Sequence, residues 1–202
     1  MSQMPRGLRR PAANRRSMRH VCRRSCNTGM ETVADLASPA ADRVQGARTK
    51  QPNSLKCFVC GVENPVGLHL AFYDQADGDV ISEVTVPDCY QGYPGVVHGG
   101  IVASMLDEVA GRAAMEGDTT RFMMTAKMEI RYRKPIPIGR PLRLVGRLEK
   151  RRGRLTMVHG EVRLADGSVG AEAEALLSDI PDIFDGAAGP ERTGWRVYPD
   201  GG

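Results

Sequence analysis

The sequence predicts an α+β domain in which one long apolar helix is followed by a series of antiparallel strands. Between about Val97 and Met115, apolar residues recur at three- and four-residue spacing, which is the period of a buried helix face. Between residues 124 and 177, apolar and polar residues alternate in four runs, which is the period of a strand with one buried face. A helix followed by strands joined by short turns is an α+β arrangement.

The first 52 residues show no hydrophobic periodicity, and residues 1–29 hold eight arginines and no acid. This composition predicts a disordered basic arm over residues 1–52. Three further interpretations stay open: translation from Met30, an Arg-rich transit peptide, and a phosphate-binding arm.

Beyond this arm the chain is mildly acidic, because residues 30–202 carry 20 basic side chains and all 24 acidic ones. This balance argues against a nucleic-acid partner. No apolar run reaches the length of a membrane span or of a secretory signal. We therefore expect a soluble, cytoplasmic protein without a membrane partner.

The folded domain is expected to span residues 53–180, and it opens on a turn-rich segment containing Cys57-Phe-Val-Cys60. This spacing suits a zinc ligand pair, but a structural zinc site needs four ligands. The odd number of cysteines indicates reduced thiols rather than a disulfide framework. We expect no metal and no cofactor, and we expect the two cysteines to pack the start of the domain.

The remaining elements follow from alternation and turn residues. Residues 68–72 and 80–86 are predicted to be strands joined by a turn at Asp77-Gly78, and the four strands after the helix are separated by turns that include Arg152-Gly153 and Asp166-Gly167. Residues 181–202 are rich in Pro and Gly and are predicted to be a flexible tail.

The motif with the clearest chemical content leads into the helix, and its sequence is Gln91-Gly-Tyr-Pro-Gly-Val-Val-His-Gly-Gly. Glycines at a helix start let a ligand approach bare backbone N–H groups at the positive end of the helix dipole. Asp107 lies on the third turn of the same apolar helix, where a buried acid needs a partner or a function. Together these features indicate a site that polarises a carbonyl and activates a water.

These residues resemble the hotdog-fold acyl-CoA thioesterases, and in particular the phenylacetate-pathway (PaaI-like) thioesterases. The resemblance covers roughly residues 57–180, and it rests on the Cys57 segment, the His98-Gly-Gly motif, Leu106-Asp-Glu108 and Arg131-Tyr-Arg-Lys-Pro-Ile-Pro-Ile-Gly139. It implies a curved antiparallel sheet wrapped around one central helix. It also implies homodimers, and a homotetramer built as a dimer of dimers stays open.

The resemblance implies thioester hydrolysis and assigns roles to individual residues. The backbone N–H of Gly99 would polarise the thioester carbonyl, Asp107 would act as general base on water or as nucleophile, and Thr125 would help to position that water. The residues implied in substrate binding are Gln91 near the thioester, His98 and Gly100 in the turn, and Arg131, Arg133 and Lys134 as candidate cations for the CoA phosphates.

Helix geometry places these groups in different chains. Gly99 and Asp107 are separated by roughly 12 Å along one helix axis at 1.5 Å per residue, whereas reacting groups must approach to about 3–3.5 Å. The gap closes if the helices of two chains lie antiparallel, so that Gly99 of one chain faces Asp107 of the other. Dimerisation then becomes a requirement for activity, with two equivalent sites per dimer.

Three functions remain to be separated. The favoured one is an acyl-CoA thioesterase with no Ser-His-Asp triad, since the sequence has no G-x-S-x-G motif. The alternative is a non-catalytic acyl-CoA-binding hotdog module, and a hydratase of the same fold is the third. The product distinguishes them: free thiol for a thioesterase, none for a binding module, and altered double bonds for a hydratase.

Overall fold

A computed structural model describes residues 48–115, 117–179 and 193–200. The helix α1 spans Gly99–Ala114. The strands, in chain order, are β1 (Thr49–Lys50), β2 (Tyr73–Asp74), β3 (Val80–Thr85), β4 (Met123–Tyr132), β5 (Pro141–Arg152), β6 (Leu155–Arg163) and β7 (Val169–Asp179).

The strands form one antiparallel sheet in the order β1-β2-β3-β5-β6-β7-β4. The hairpin turns contain Gly153 and Gly167, which adopt the positive φ angles of 59° and 81° that glycine tolerates best. Strand β4 follows the helix in sequence but pairs with β7, so it becomes one edge of the sheet. This placement confirms the α+β class and puts the strand that carries Thr125 at an edge.

Helix α1 packs against one face of the sheet, and this contact forms the core. Its buried side chains include Val102, Met105, Leu106 and Val109. The facing strand residues are apolar or small and include Leu142, Leu144, Val158, Val162, Ala171, Ala173 and Ala175. The helix is buried as its apolar pattern predicts, because the sheet covers the whole apolar stripe.

One predicted strand is absent from the structure. Residues 68–72 do not form a strand, because the backbone at His69 is left-handed with a φ of 55° and interrupts the extended run. Leu70 and Phe72 are nevertheless buried. The alternation of apolar residues in this segment therefore reflects burial of side chains in a loop and does not indicate a strand.

The structure also describes residues on both sides of the expected domain, which spans residues 53–180. Strand β1 and the buried Gln51 lie within the expected arm. Residues 193–200, placed in the expected tail, pack against the domain: Asn53 and Arg196 exchange backbone hydrogen bonds of 2.8 and 3.2 Å. The rest of the expected arm and tail lies outside the described residues.

No helix in the described ranges combines the length and the apolar character needed to cross a membrane.

Candidate active site

The turn before the helix is held by backbone contacts from two directions. The N–H of His98 donates to the carbonyl of Tyr90 at 2.9 Å, and the N–H of Val97 donates to the carbonyl of Ile136 at 2.8 Å. The side chain of Gln91 accepts from the N–H of Gly95 at 3.3 Å. Gln91 therefore closes the turn from within, which is a structural task beside its expected role in binding.

The helix N-terminus leaves one backbone donor free. His98 is the N-cap, and its Nδ1 accepts from the N–H of Gly100 at 3.0 Å. Because Nδ1 is an acceptor, the neutral ring carries its proton on Nε2. Among the described residues the N–H of Gly99 has no acceptor, so it is available to a ligand at the positive end of the dipole.

Gly99 lines a first cavity of about 420 Å³. Tyr132 crosses from β4 and donates its hydroxyl to the carbonyl of Gly99 at 2.9 Å, which fixes the first turn of the helix against the edge strand. Arg133 and Lys134 line the same cavity. This cavity therefore combines a free backbone donor with two cations.

Asp107 and Thr125 form the second part of the candidate site. The hydroxyl of Thr125 on β4 donates to Oδ1 of Asp107 at 2.6 Å. Both residues are exposed in the isolated chain, and in the described part of the chain no hydrogen bond reaches Oδ2 of Asp107. The carboxylate is thus oriented by one oxygen, and the other oxygen can accept a proton from water.

Asp107 and Thr125 line a second cavity, of about 480 Å³, that does not include Gly99. Its other walls are mainly apolar and include Met115, Phe122, Met123, Met124, Leu177 and Trp195. The two parts of the expected site therefore lie in separate cavities along one helix. Such a cavity suits an apolar acyl group beside a carboxylate.

The neighbouring acid, Glu108, has a different role. Its Oε1 accepts from Nε and Nη2 of Arg112 at 3.0 and 2.9 Å. Arg112 is 2% exposed, and its guanidinium stacks between the rings of Phe72 and Trp195. Glu108 is therefore the counter-ion of a buried arginine, while Asp107 remains free of ion pairs in the described ranges.

Trp195 lines the second cavity, although it lies within the predicted tail. Its Nε1 donates to the carbonyl of Thr119 at 2.9 Å, and its ring meets Phe122 edge-on at 5.3 Å. It is the one tryptophan of the chain. A single large aromatic residue in a Pro/Gly-rich segment is the sequence feature that could have predicted packing of this segment against the domain.

The three cations expected to bind the CoA phosphates differ in whether they line the first cavity and in whether a carboxylate already pairs with them. Arg131 pairs with Glu129 at 3.1 Å and does not line the first cavity. Arg133 lines the cavity but also donates to Glu172. Lys134 lines it and has no carboxylate oxygen within 4.0 Å in the described residues. Lys134 is therefore the cation that is most available for a phosphate.

Within the described part of the chain, two groups of side chains have donor atoms close enough to hold a metal. Cys57, Cys60 and Glu108 lie beside the second cavity, and Glu149, His159 and Glu174 lie on the sheet. In the second group both ring nitrogens of His159 already contact carboxylates, at 2.6 and 3.3 Å. Burial acts to lower the pKa of His159, but the acids outweigh it and raise that pKa, so the group is better described as an ion cluster.

Comparison with known proteins links the chain to one family. Residues 94–171 match the thioesterase superfamily. The acyl-coenzyme A thioesterase THEM4 of Rattus norvegicus is 31% identical over 139 residues, which cover 67% of this chain and 59% of the relative. The chain therefore spans less than two thirds of the length of this relative.

Solved structures agree on the fold. One thioesterase superfamily protein of known crystal structure is 40% identical in sequence to this chain, and the two structures superpose with a TM-score of 0.57. The alignment covers 61% of this chain and 60% of that one. The E. coli PaaI protein from the phenylacetic acid degradation operon is 16% identical with a TM-score of 0.51, covering 56% of this chain and 80% of that one. The second likeness concerns the fold alone, and together they confirm the hotdog arrangement.

Proposed function

We propose that this chain, whose residues 94–171 match the thioesterase superfamily, hydrolyses an acyl-CoA thioester to a free acid and CoA. The observation that carries this proposal is the 2.6 Å contact between Thr125 and Asp107 on the wall of an apolar cavity. A structural acid would be paired with a cation, as Glu108 is. Asp107 is instead oriented by a neutral hydroxyl and open to solvent, which suits a group that must take a proton from water.

In the proposed mechanism the thioester carbonyl oxygen accepts from the free N–H of Gly99, and Asp107 removes a proton from the attacking water. The N–H stabilises the negative charge that develops on the oxygen, a contact worth about 3 kcal/mol where a single such donor is removed. The tetrahedral intermediate then collapses, the C–S bond breaks, and the CoA thiolate leaves.

The complete site is proposed to form between two chains. Gly99 and Asp107 line separate cavities, so neither cavity of one chain holds both groups. Strand β4 is a ten-residue sheet edge with Met124 and Tyr132 each 54% exposed, and such an edge is a template for pairing with another strand. Antiparallel pairing of two copies of β4 would bring the first cavity of one chain to the second cavity of its partner.

The acyl-CoA would then span both halves of the site. Its acyl group would occupy the apolar second cavity, and its phosphates would meet Lys134 and Arg133 at the first. The ion pair between Arg133 and Glu172 would have to yield to the phosphate, so Lys134 is expected to contribute more to CoA binding.

The test is thiol release from a panel of straight-chain and aryl acyl-CoAs by the purified protein and by Asp107→Asn. The asparagine keeps an oxygen for the Thr125 hydroxyl but cannot act as a base, so turnover should fall by about 100- to 10,000-fold. Glu83→Gln is the matched control, because it removes an exposed carboxylate on β3 that lines neither cavity.

Measurable acyl-CoA binding without thiol release from any substrate would overturn the proposal in favour of the binding module. Altered double bonds in the acyl group would instead identify a hydratase.

A further inference from the structure

The segment Cys57-Phe-Val-Cys60 lies beside the second cavity, and the proposed reaction does not use it. Both cysteines line that cavity as free thiols. Cys57 is half-buried, whereas Cys60 is 1% exposed. One sulfur is therefore reachable from the cavity, and the other is enclosed behind it.

The local backbone is arranged around the Cys57 sulfur. The N–H groups of Val59 and Cys60 donate to Sγ of Cys57 at 3.3 and 3.5 Å. The two sulfur atoms and the nearest oxygen of Glu108 all lie within 4.8 Å of one another. Backbone donors aimed at a sulfur stabilise its anion, as in the reactive cysteine of other CxxC turns.

The charge distribution divides the pair into an ionised and a protonated member. A hydrogen bond from the Cys60 thiol, helped by the backbone donors, lowers the pKa of Cys57 from 9.0 to about 7, although burial and Glu108 act in the opposite direction. The same hydrogen bond and burial raise the pKa of Cys60. Near neutral pH, Cys57 is therefore a nucleophile, and Cys60 is a thiol next to it.

The arrangement of Cys57, Cys60 and Glu108 fits a metal site less well than a reactive pair of thiols. Glu108 already accepts two hydrogen bonds from the buried guanidinium of Arg112. The positive charge of this guanidinium would repel a metal ion bound beside it. The group also supplies three donor residues in the described part of the chain, whereas a structural zinc takes four ligands.

We propose that Cys57 and Cys60 form a redox-active dithiol that a hydroperoxide oxidises to a disulfide. The Cys57 thiolate attacks one peroxide oxygen, the O–O bond breaks, and hydroxide leaves and takes up a proton, so that the sulfur becomes a sulfenic acid. The Cys60 sulfur then attacks the sulfenic sulfur: the S–S bond forms, the S–O bond breaks, and the oxygen leaves with the Cys60 proton as water. In total, two thiols and one hydrogen peroxide give one disulfide and two waters, and a reducing dithiol reverses the change by exchange.

The chain contains its own reporter of this change. In the reduced state Sγ of Cys57 lies 3.5 Å from Oε2 of Glu108, and Glu108 pairs with Arg112, which stacks on Trp195. A disulfide removes the negative charge of the Cys57 thiolate from beside this pair. Because Trp195 is the one tryptophan of the chain, its fluorescence should change on oxidation.

The experiment uses the full-length chain with Cys22, Cys26 and Cys89 replaced by serine. One equivalent of hydrogen peroxide should remove two hydrogens from the intact mass, place that loss in the peptide that contains both Cys57 and Cys60, and shift the Trp195 fluorescence. A reducing dithiol should reverse all three changes. Cys60→Ser in this background should stop at a sulfenic acid on Cys57 that a dimedone-type probe captures.

Cys57→Ser in the same background is the matched control, because the remaining Cys60 is enclosed and protonated. Its reaction with peroxide should be slower by roughly tenfold or more. Equal reactivity of the two single-cysteine variants would overturn the proposal. So would stoichiometric zinc in the purified protein that protects both thiols until a chelator removes it. The readouts are thiol chemistry and fluorescence, so they do not depend on thioesterase activity.

Discussion

Asp107 and Glu108 are adjacent acids with opposite surroundings, and this difference supports the different roles proposed for them. Glu108 faces the buried Arg112, and loss of either partner would leave an uncompensated buried charge. Asp107 faces Thr125 and solvent. The spacing from His98 favours Asp107 as the proposed base, and the ion pair that occupies Glu108 gives a physical reason for the same choice.

Thr125→Val is expected to lower kcat/KM roughly ten- to hundredfold, because a hydrogen bond to a charged group is worth about 1.5–3 kcal/mol. Valine keeps the branched shape suited to the strand but loses the donor that orients Asp107. Thr125→Ser keeps the donor and should retain most of the activity. Steady-state kinetics of the two variants test the role, and equal losses would assign Thr125 to packing alone.

Cys57 is expected to react with iodoacetamide at a rate that rises with pH and levels off above about 7, because its pKa is lowered to about 7. The thiolate is the reacting form, so the rate follows its population. The groups around it are Cys60 and Ser54 from its own segment and Glu108 and Arg112 from α1.

Peptide mass mapping of Cys57 over a pH series measures this profile. Cys60→Ala removes the largest stabilising hydrogen bond, so the midpoint should move towards the ordinary value of 9.0. A midpoint that stays near 7 in Cys60→Ala would mean that the backbone donors alone hold the thiolate.

At the scale of elements, the close approach of α1 to the sheet depends on one of two paired glycines. Gly146 on β5 and Gly160 on β6 lie opposite each other, and both face Val109 of the helix. A Cβ at Gly146 would lie 2.6 Å from the carbonyl oxygen of Val109, whereas a Cβ at Gly160 would meet side-chain atoms at 3.4 Å or more. The two positions are therefore unequal in the space they leave.

Gly146→Ala is expected to lower the free energy of unfolding by about 1–3 kcal/mol, because the helix backbone must move away from the sheet. Gly160→Ala is the matched control and should be near neutral, since its methyl group enters ordinary contact. Urea unfolding of both variants with unchanged m-values measures the difference. Equal losses would point to a common effect of replacing glycine in a strand.

The elements that could be predicted from the sequence are those with a sustained period. The helix and the four strands after it have long, regular patterns, and their positions agree with the structure within a few residues. Alternation failed at residues 68–72, because a loop can also bury every second side chain. The packing of Trp195 could not be predicted, because it depends on contacts with Arg112 and Phe122 that are distant in sequence.

The candidate site also has features that could be predicted from the sequence and others that could not. The motif indicated Gly99 and Asp107, the family resemblance implied Thr125 as well, and the structure places Asp107 and Thr125 in contact. The sequence did not indicate that Arg131 lies away from the first cavity, nor that the Gln91 side chain closes its own turn. These details depend on which acid or backbone group each side chain meets after folding.

At the scale of the whole molecule, the proposed shared site gives each chain two half-sites on one helix, and two variants would disable them separately. Gly99→Pro removes the proposed donor at the first helical position, where proline is well tolerated because that N–H has no intrahelical acceptor. The extended backbone of His98, with φ −60° and ψ 136°, suits a following proline. Gly99→Ala is its control, because it keeps the N–H and the nearest atom to its Cβ would be the Tyr132 hydroxyl oxygen, at 3.7 Å.

Homodimers of Gly99→Pro and of Asp107→Asn should both be inactive, but a heterodimer of the two should recover about half of the wild-type activity. In that heterodimer one site combines the intact Gly99 with the intact Asp107 of the other chain, while the second site lacks both. Differently tagged chains that are co-expressed and purified through both tags provide the heterodimer for a thiol-release assay.

The reverse arrangement gives the decisive comparison. A wild-type chain paired with a chain that carries both substitutions should be inactive, because each shared site then contains one disabled group. If Gly99 and Asp107 of the same chain acted together, the results would exchange: the wild-type chain would retain half of the activity, and the complementing pair would have none. The two heterodimers contain the same substitutions in the same number, so a difference in stability cannot account for opposite activities, and the assay determines directly whether the active site is shared between chains.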